Sequence, residues 1–532
     1  MDELILIHWL DFQLGYKIKT IHHLFCYKEI NNKTKVTKFT FLKIKPAMKK
    51  ILKFCMMICF TALIFQSCED YDDNPVPSAL EVKDFVWKGL NLYYLWQADQ
   101  PKLADDLFET QRDLNIFLDE YESPEALFAD LKVAPAIDRF SVIFSDYTVL
   151  ENALQGGFRT NGIEFSLRFK DETQTDIFGY VRYVLPNTSA ANQGITRGMI
   201  FYSINNIPLS VSNESIWRAA FREDTYTLQF ADYDGGTITP NGISLSFTKV
   251  QYTENPVYLT NVIEVEDKRI GYLMYNGFFS NFETQLNQAF GELKASNVTH
   301  LVLDLRYNSG GSVDTATRLA SMITGQFNGQ VFARQVWNQK VMNFFNQTNP
   351  EQLINRFTNQ IGNGNTINSL NLTKVYVLTT GLTASASELI INSLKPYIDV
   401  VQIGTTTVGK NDGSITLYDS PTFGSNNRNP NHRYAMQPLV LKIADKNGNG
   451  EYQAGIDPAL EQFENVANLG VLGDQNEPYF NTAINDILAN GRFGNRYIES
   501  KALFVDDSKS MRKLANEMYI EKVPEGLFQL LK

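Results

Sequence analysis

The sequence predicts a multidomain protein of mixed class. A small helical N-terminal domain covers residues 79–150, a β-rich α+β domain covers 157–250, and an α/β core covers 255–490. Three observations lead there. Apolar and aromatic residues recur at three- and four-residue steps through Val82, Phe85, Val86, Leu90 and Tyr93. Residues 157–250 alternate apolar with polar between turn signals, as half-buried strands do. From Arg269 a strand–helix–strand rhythm sets in, which points to an α/β core with crossover connections. With 532 residues, 44% apolar and 20% charged, the chain suits about three globular domains.

Residues 1–47 read as over-called upstream sequence, with Met48 as the true start. Met48-Lys49-Lys50 leads into an apolar core from Phe54 to Phe65, too short to span a bilayer, so 48–67 read as a signal peptide. Phe65-Gln66-Ser67-Cys68 resembles a bacterial lipobox, which makes Cys68 the acylated first residue; the alternative is an ordinary secretory signal with a chance cysteine. The acidic, proline-bearing stretch 68–78 then serves as a tether. On this reading the protein is exported to the bacterial cell envelope and anchored to the outer membrane. All four cysteines (Cys26, Cys55, Cys59, Cys68) fall in or before this segment, so the body has neither disulfides nor a catalytic thiol. Residues 1–67 hold 11 Lys/Arg and 4 Asp/Glu, leaving 37 against 55 and a charge of −18 in the rest. So acidic a body excludes a nucleic-acid partner, and no Cys/His cluster suggests a metal.

In the helical domain, Trp87, Tyr94 and Trp96 add bulk that serves either core packing or a ligand face. Ser123-Pro124-Glu125 is a helix start. In the core, Arg269–Tyr275 and His300–Leu305 read as strands, and Phe282–Leu293 and Val313–Ile323 as helices. Between them, Asn308-Ser309-Gly310-Gly311 is a strand-to-helix turn whose glycines allow close backbone approach. Tyr434–Leu441 reads as a strand. The hexamer Asp445–Gly450 imitates the front of a calcium loop, but Ile456 stands where the bidentate glutamate belongs, so a turn is expected. The tail, 491–532, carries mixed charge and no readable pattern.

The chemistry centres on Thr383-Ala384-Ser385-Ala386-Ser387-Glu388, which follows the buried strand Lys374–Leu378 and opens a helix-patterned segment. Such a turn displays a serine hydroxyl beside backbone N–H groups. Ser385 and Glu388 equally form an S-x-x-E capping box with no chemical role. A serine needs a base to become a nucleophile. Only His300 and His432 follow the signal, and nothing around either favours a Ser-His-Asp site. Lys410, in the glycine-flanked stretch Ile403–Lys410, lies 25 residues after Ser385 and makes a serine–lysine dyad the better candidate.

Ser385 in an S-A-S-E turn, Lys410 25 residues on, and Leu301–Gly311 ending in D-L-R-x-N-x-G-G together resemble the C-terminal processing (tail-specific) peptidase family of serine endopeptidases. The resemblance runs from about residue 80 to about 490 and implies a ClpP/crotonase-like α/β core. It also implies polypeptide substrates, presented by their C-termini, and no cofactor. It gives Ser385 as nucleophile, Lys410 as base, and the N–H groups of Ala386 and of Gly310 or Gly311 as the oxyanion hole. Asp138-Arg139-Phe140-Ser141 resembles a short family motif ahead of a PDZ domain. Asn161-Gly162-Ile163-Glu164-Phe165 resembles the carboxylate-binding loop and first strand of that domain, making Gly162, Ile163, Glu164 and Phe165 peptide-binding; a merely structural β-module is the alternative. The chain departs from the family at Pro396 and Ser414, where some members carry an Asp or a Gln that orients the lysine. Ser414 and Glu388 are left as the supporting candidates. A lysine base also requires burial among apolar groups, expected from Val408 and the neighbouring strands. The competing functional reading is a catalytically silent surface lipoprotein that binds peptides; a structural envelope lipoprotein would leave the serine–lysine spacing unexplained. The sequence does not define an oligomeric state.

Overall fold

The computed structural model describes residues 76–489 and 503–531. The signal peptide, Cys68 and most of the tether lie outside the described residues. The helical N-terminal segment contains α1 (Glu81–Tyr93), α2 (Gln111–Asp119) and α3 (Pro124–Asp130). Ser123 caps α3 by accepting from the Ala126 N–H at 3.1 Å, with Pro124 in the first helical position. Phe85, Val86, Leu90 and Tyr93 are buried in one cluster with Phe423 and Met436 of the core, so the aromatic stripe is packing surface.

The β-rich segment consists of β1 (Ile163–Phe169), β2 (Ile177–Val184), β3 (Ile200–Ile204), α4 (Glu214–Arg222), β4 (Thr225–Asp234) and β5 (Thr237–Thr248). Its core gathers Phe165, Leu167, Val181, Phe201, Trp217, Phe221 and Leu228. In sheet order β1-β2-β3-β4-β5 run antiparallel, which leaves one edge of β1 for a further strand.

The core is built in chain order from β6 (Val257–Val265), β7 (Lys268–Tyr275), α5 (Glu283–Ala295), β8 (His300–Asp304), β9 (Gly311–Ser312), α6 (Val313–Thr324), β10 (Val331–Trp337) and β11 (Ile354–Arg356). It continues with β12 (Lys374–Thr379), α7 (Ala386–Leu394), β13 (Asp399–Gly404), β14 (Asp412–Ile415), β15 (Leu439–Ala444), β16 (Leu460–Glu461) and α8 (Pro478–Ala489). The tail adds β17 (Phe504–Asp507) and β18 (Met518–Ile520). The main sheet has the order β6-β7-β8-β12-β13-β16, parallel except for its β6–β7 edge. Its strands read as continuous apolar runs because both faces are covered. Leu301, Leu303, Val375 and Val377 face a cluster containing Leu286 and Phe290 of α5 and Leu389 and Ile390 of α7. Val302, Tyr376 and Leu378 join Phe480, Ile484 and Ile487 of α8 on the other face. The predicted α/β core is thus present.

Two expectations change. The strand expected over Tyr434–Leu441 is two strands, Ala435–Gln437 and Leu439–Ala444, broken at Pro438, which has no N–H for a ladder. The second is that a further sheet stands in the core, ordered β9-β18-β14-β15-β10-β11, with a tail strand inside it. Its short pieces give no periodicity to read. The calcium-like hexamer is a turn: the Asp445 carboxylate accepts from the N–H groups of Asn447 and Asn449, both at 2.8 Å.

Arg306 follows β8 and is wholly buried. Its guanidinium donates to both Glu477 oxygens at 2.7 and 3.0 Å and to Asp304 Oδ2 at 2.9 Å. Arg306→Met leaves two carboxylates buried without their cation and is expected to cost about 3–5 kcal/mol, read from the midpoint of urea unfolding. A midpoint within error of the parent would show the network to be dispensable.

Candidate active site

Ser385 stands between β12 and α7 at φ +64° and ψ −118°, a conformation that is strained for a residue with a side chain. The turn is welded in place. The Asn308 carbonyl accepts from the Ala384 N–H at 3.1 Å and the Ser387 hydroxyl at 3.2 Å, and the Asn308 amide donates to the Tyr275 carbonyl at 2.8 Å. The S-x-x-E capping box is in place, but only its Glu388 half is a hydrogen bond. Glu388 Oε2 accepts from the Ser385 N–H at 2.7 Å, while Ser385 Oγ is buried and makes no hydrogen bond. An orphaned buried hydroxyl is costly, and such cost is retained mainly where a group has work to do.

Glu388 joins the two motifs. Its carboxylate also accepts from the Thr407 hydroxyl at 2.5 Å, the Gly409 N–H at 2.7 Å and the Lys410 N–H at 2.9 Å. One buried side chain therefore fixes the backbones of Ser385 and Lys410. Burial raises its pKa, against the opposing pull of Thr407 and the three N–H donors. The helix-start residue Ala386 is buried beside Ser385, its N–H in a first turn that offers no intrahelical acceptor.

Lys410 is also wholly buried. Its Nζ donates to the Asp412 carbonyl at 2.8 Å, lies 3.8 Å from Glu517 Oε1 and sits 4.9 Å from the centroid of the Phe140 ring. Among the described residues no hydrogen bond joins it to Ser385. Ser414 likewise makes no hydrogen bond to Lys410 and approaches it only through Glu517 Oε1. Its hydroxyl contacts the Glu517 carboxylate, donates to the Met518 carbonyl at 3.1 Å and accepts from Gln437 Nε2 at 2.8 Å. The hydrogen-bond acceptor of Lys410 Nζ is the Asp412 carbonyl, which no side-chain pattern announces. Phe140 lies in the Asp138–Ser141 stretch that resembles a family motif, but nothing in the sequence places its ring over the lysine. Asp138 accepts from the N–H groups of Phe140 and Ser141, holding that segment against the lysine.

Gly310 and Gly311 take φ +114° and +135°. The Gly310 N–H donates to Asn308 Oδ1 at 2.9 Å, so its amide is engaged within the loop. A Cβ on Gly310 would stand 2.5 Å from Ser385 Cβ and 2.6 Å from the Glu517 carbonyl, which places this loop and the tail directly on the serine. Of the expected peptide-binding residues, Gly162 takes φ +100° and its N–H donates to Thr160 Oγ1 at 2.9 Å. The Ile163 N–H donates to Asn161 Oδ1 at 3.1 Å; Glu164 is buried, and Phe165 packs in the β-rich core.

Beside β9 the Glu521 carboxyl contacts Ser312 although the residue as a whole is exposed, and local desolvation of that carboxyl together with Asp314 pushes its pKa up to about 8, opposed by Ser312 and Arg318. Lys522 and Glu283 complete the charges coupled to Asp314. The folded chain then holds a proton that the unfolded chain releases near the ordinary glutamate value. Stability falls as pH rises from about 4.5 through about 8, by well under the ~1.4 kcal/mol per pH unit of a fully buried group, because solvent screens an exposed residue. Glu521→Gln is expected to flatten this slope in thermal unfolding between pH 5 and 9; an unchanged slope would place the proton elsewhere.

Residues 269–458 match the Peptidase family S41 model, and residues 81–142 match the Peptidase S41 N-terminal domain. The sequence is 26% identical over 166 residues to a "Probable CtpA-like serine protease" of Staphylococcus epidermidis, covering 29% of this chain and 30% of that one. It is 23% identical over 232 residues to a carboxyl-terminal-processing protease of Picosynechococcus sp., covering 40% of this chain and 50% of that one. These matches span about a third to a half of the relatives' length. In fold, an S41 protease from Bacteroides fragilis superposes with a TM-score of 0.59 at 24% identity, covering 80% of this chain and 100% of that one.

Proposed function

We propose that this chain, which belongs to peptidase family S41, the family of the C-terminal processing peptidases, is an exported serine endopeptidase in which Ser385 is the nucleophile and Lys410 the general base. The observation that carries the reading is the wiring of Glu388, which holds a strained serine with an unpaired hydroxyl and a buried lysine on one carboxylate. Lys410 Nζ swings from the Asp412 carbonyl to take the proton of Ser385 Oγ as that oxygen attacks the scissile carbonyl. The developing oxyanion is met by the Ala386 N–H and, from the glycine loop, the Gly311 N–H, that of Gly310 being held by Asn308 Oδ1; donors of this kind are worth about 3–4 kcal/mol each. The lysine ammonium returns its proton to the leaving amine, giving an acyl-enzyme that water hydrolyses by the same route.

The β-rich domain serves as a PDZ module that offers the β1 edge, with Gly162 to Phe165, to an extended peptide, including a substrate's C-terminus. Lipidated Cys68 holds the enzyme on the outer membrane of the envelope. The test is labelling of the soluble body, residues 69–532, with a serine-directed fluorophosphonate, followed by hydrolysis of an unfolded protein. Label mapped to Ser385 together with cleavage supports the assignment; cleavage with label on another residue refutes it.

A further inference from the structure

Both proposed catalytic residues have no solvent exposure, so no polypeptide reaches them as the chain stands. The chain's own tail forms part of their cover, with Phe140 and the Gly310 loop. Strand β17 adds antiparallel to β1, pairing Phe504 with Arg168, Asp506 with Leu167 and Asp507 with Ser166. The ladder continues through Ser508, whose N–H donates to the Phe165 carbonyl at 3.0 Å and whose hydroxyl accepts from the Phe165 N–H at 3.1 Å. Ser508 Oγ also donates to Glu164 at 2.7 Å. Two arginines read the tail's acidic pair: Arg218 of α4 contacts Asp506, and buried Arg182 of β2 donates to Asp507 at 3.0 Å. Farther on, Glu517 comes within 3.8 Å of Lys410 Nζ, and its carbonyl abuts Gly310. Strand β18 then pairs in parallel with both β9 and β14.

The docking of residues 504–512 is mostly ionic and backbone-mediated. Lys509 is buried with its Nζ on the carbonyls of Asn276 and Tyr307, both at 2.9 Å, and Arg512 pairs with Glu164. Burial lowers the Lys509 pKa. A segment held by exchangeable hydrogen bonds along a sheet edge is the arrangement by which an extended peptide is recognised.

We propose that residues 503–521 are a tethered occupant of the peptide track, and that the track selects polypeptides carrying two adjacent acidic residues, which displace the tail and open the catalytic cleft. The β1 edge, Arg218 and Arg182 form the recognition half of the track, and the Gly310–Ser385–Lys410 cleft forms the reactive half. The second half of this inference rests on the peptidase reading; the first does not.

The test uses the full-length chain in two arms. In the first, with Ser385→Ala, a fluorescent peptide of residues 503–521 is titrated against the parent tail and against tails carrying Ser508→Pro or Asp506→Lys. The loosened tails are expected to capture the peptide at least tenfold more tightly than the parent tail. The same peptide with Asn in place of Asp506 and Asp507 should compete at least tenfold more weakly. In the second arm, with Ser385 restored, the loosened tails should hydrolyse an unfolded protein at least about fivefold faster, the shift expected from losing one hydrogen bond, and added peptide should reverse the gain. Equal capture by all folded tails, indifference to the Asn replacements, or slower hydrolysis restored by peptide would each overturn the proposal. Capture as expected with no hydrolysis or Ser385 labelling in any variant upholds the docking and refutes the peptidase reading.

Discussion

Ser385→Ala and Lys410→Ala are each expected to lower kcat/KM on an unfolded polypeptide by at least ~10³-fold, with the double variant little worse than either. The non-additivity follows from the geometry. The serine hydroxyl has no other partner, so without a base it stays a neutral alcohol, and the lysine has nothing else to deprotonate. Neither histidine among the described residues offers a substitute. His432 has one ring nitrogen 2.8 Å from Asp419 and the other accepting from the Tyr434 N–H at 3.1 Å, while His300 Nδ1 lies 2.9 Å from Thr299 Oγ1. Steady-state kinetics alongside fluorophosphonate labelling separates the two roles: Ser385→Ala loses the label, while Lys410→Ala retains the serine but labels at least ~10²-fold more slowly. Near-parental labelling by Lys410→Ala would remove the lysine from the mechanism.

The parts of this site that the sequence disclosed are those carried by local signals. The apolar runs of β8 and β12 announced a sheet buried on both faces, and the small-residue turn at Ser385 and the glycines at 310 and 311 announced close backbone approach. Glu388 was legible as a cap, but its reach to Thr407, Gly409 and Lys410 depends on a loop 19 to 22 residues away and has no periodic trace. The lysine's partner is a backbone carbonyl, invisible to any side-chain pattern, which is why Ser414 stood in for Asp412. The tail was opaque for a related reason. Strands of three or four residues paired to distant edges, as β17 and β18 are, satisfy their backbone through partners more than 100 residues away and need no alternation of their own.

Gly310→Ala carries the second large expected effect, a loss of ~10²–10³-fold in kcat/KM. Two causes act together, and a second glycine separates them. At φ +114° any side chain is strained, at about 1–2 kcal/mol, and Gly448 at φ +90° shares that cost while having nothing within 4 Å of a Cβ. Gly448→Ala should therefore lose thermal stability but keep its rate. At Gly310 the new methyl would lie 2.5 Å from Ser385 Cβ, and neither atom can yield without moving a backbone pinned by Asn308 and Glu388. The nucleophile must shift, and a misplacement approaching 1 Å costs about two orders of magnitude. The same methyl would press on the Glu517 carbonyl and loosen the tail, an effect of opposite sign on the rate. Measured with Ser508→Pro already present, where the tail is displaced, Gly310→Ala reports on the serine alone. Loss of activity in that background places the loop against the nucleophile; retention would mean that the contact belongs to the tail, and that Gly310 serves its docking rather than the reaction.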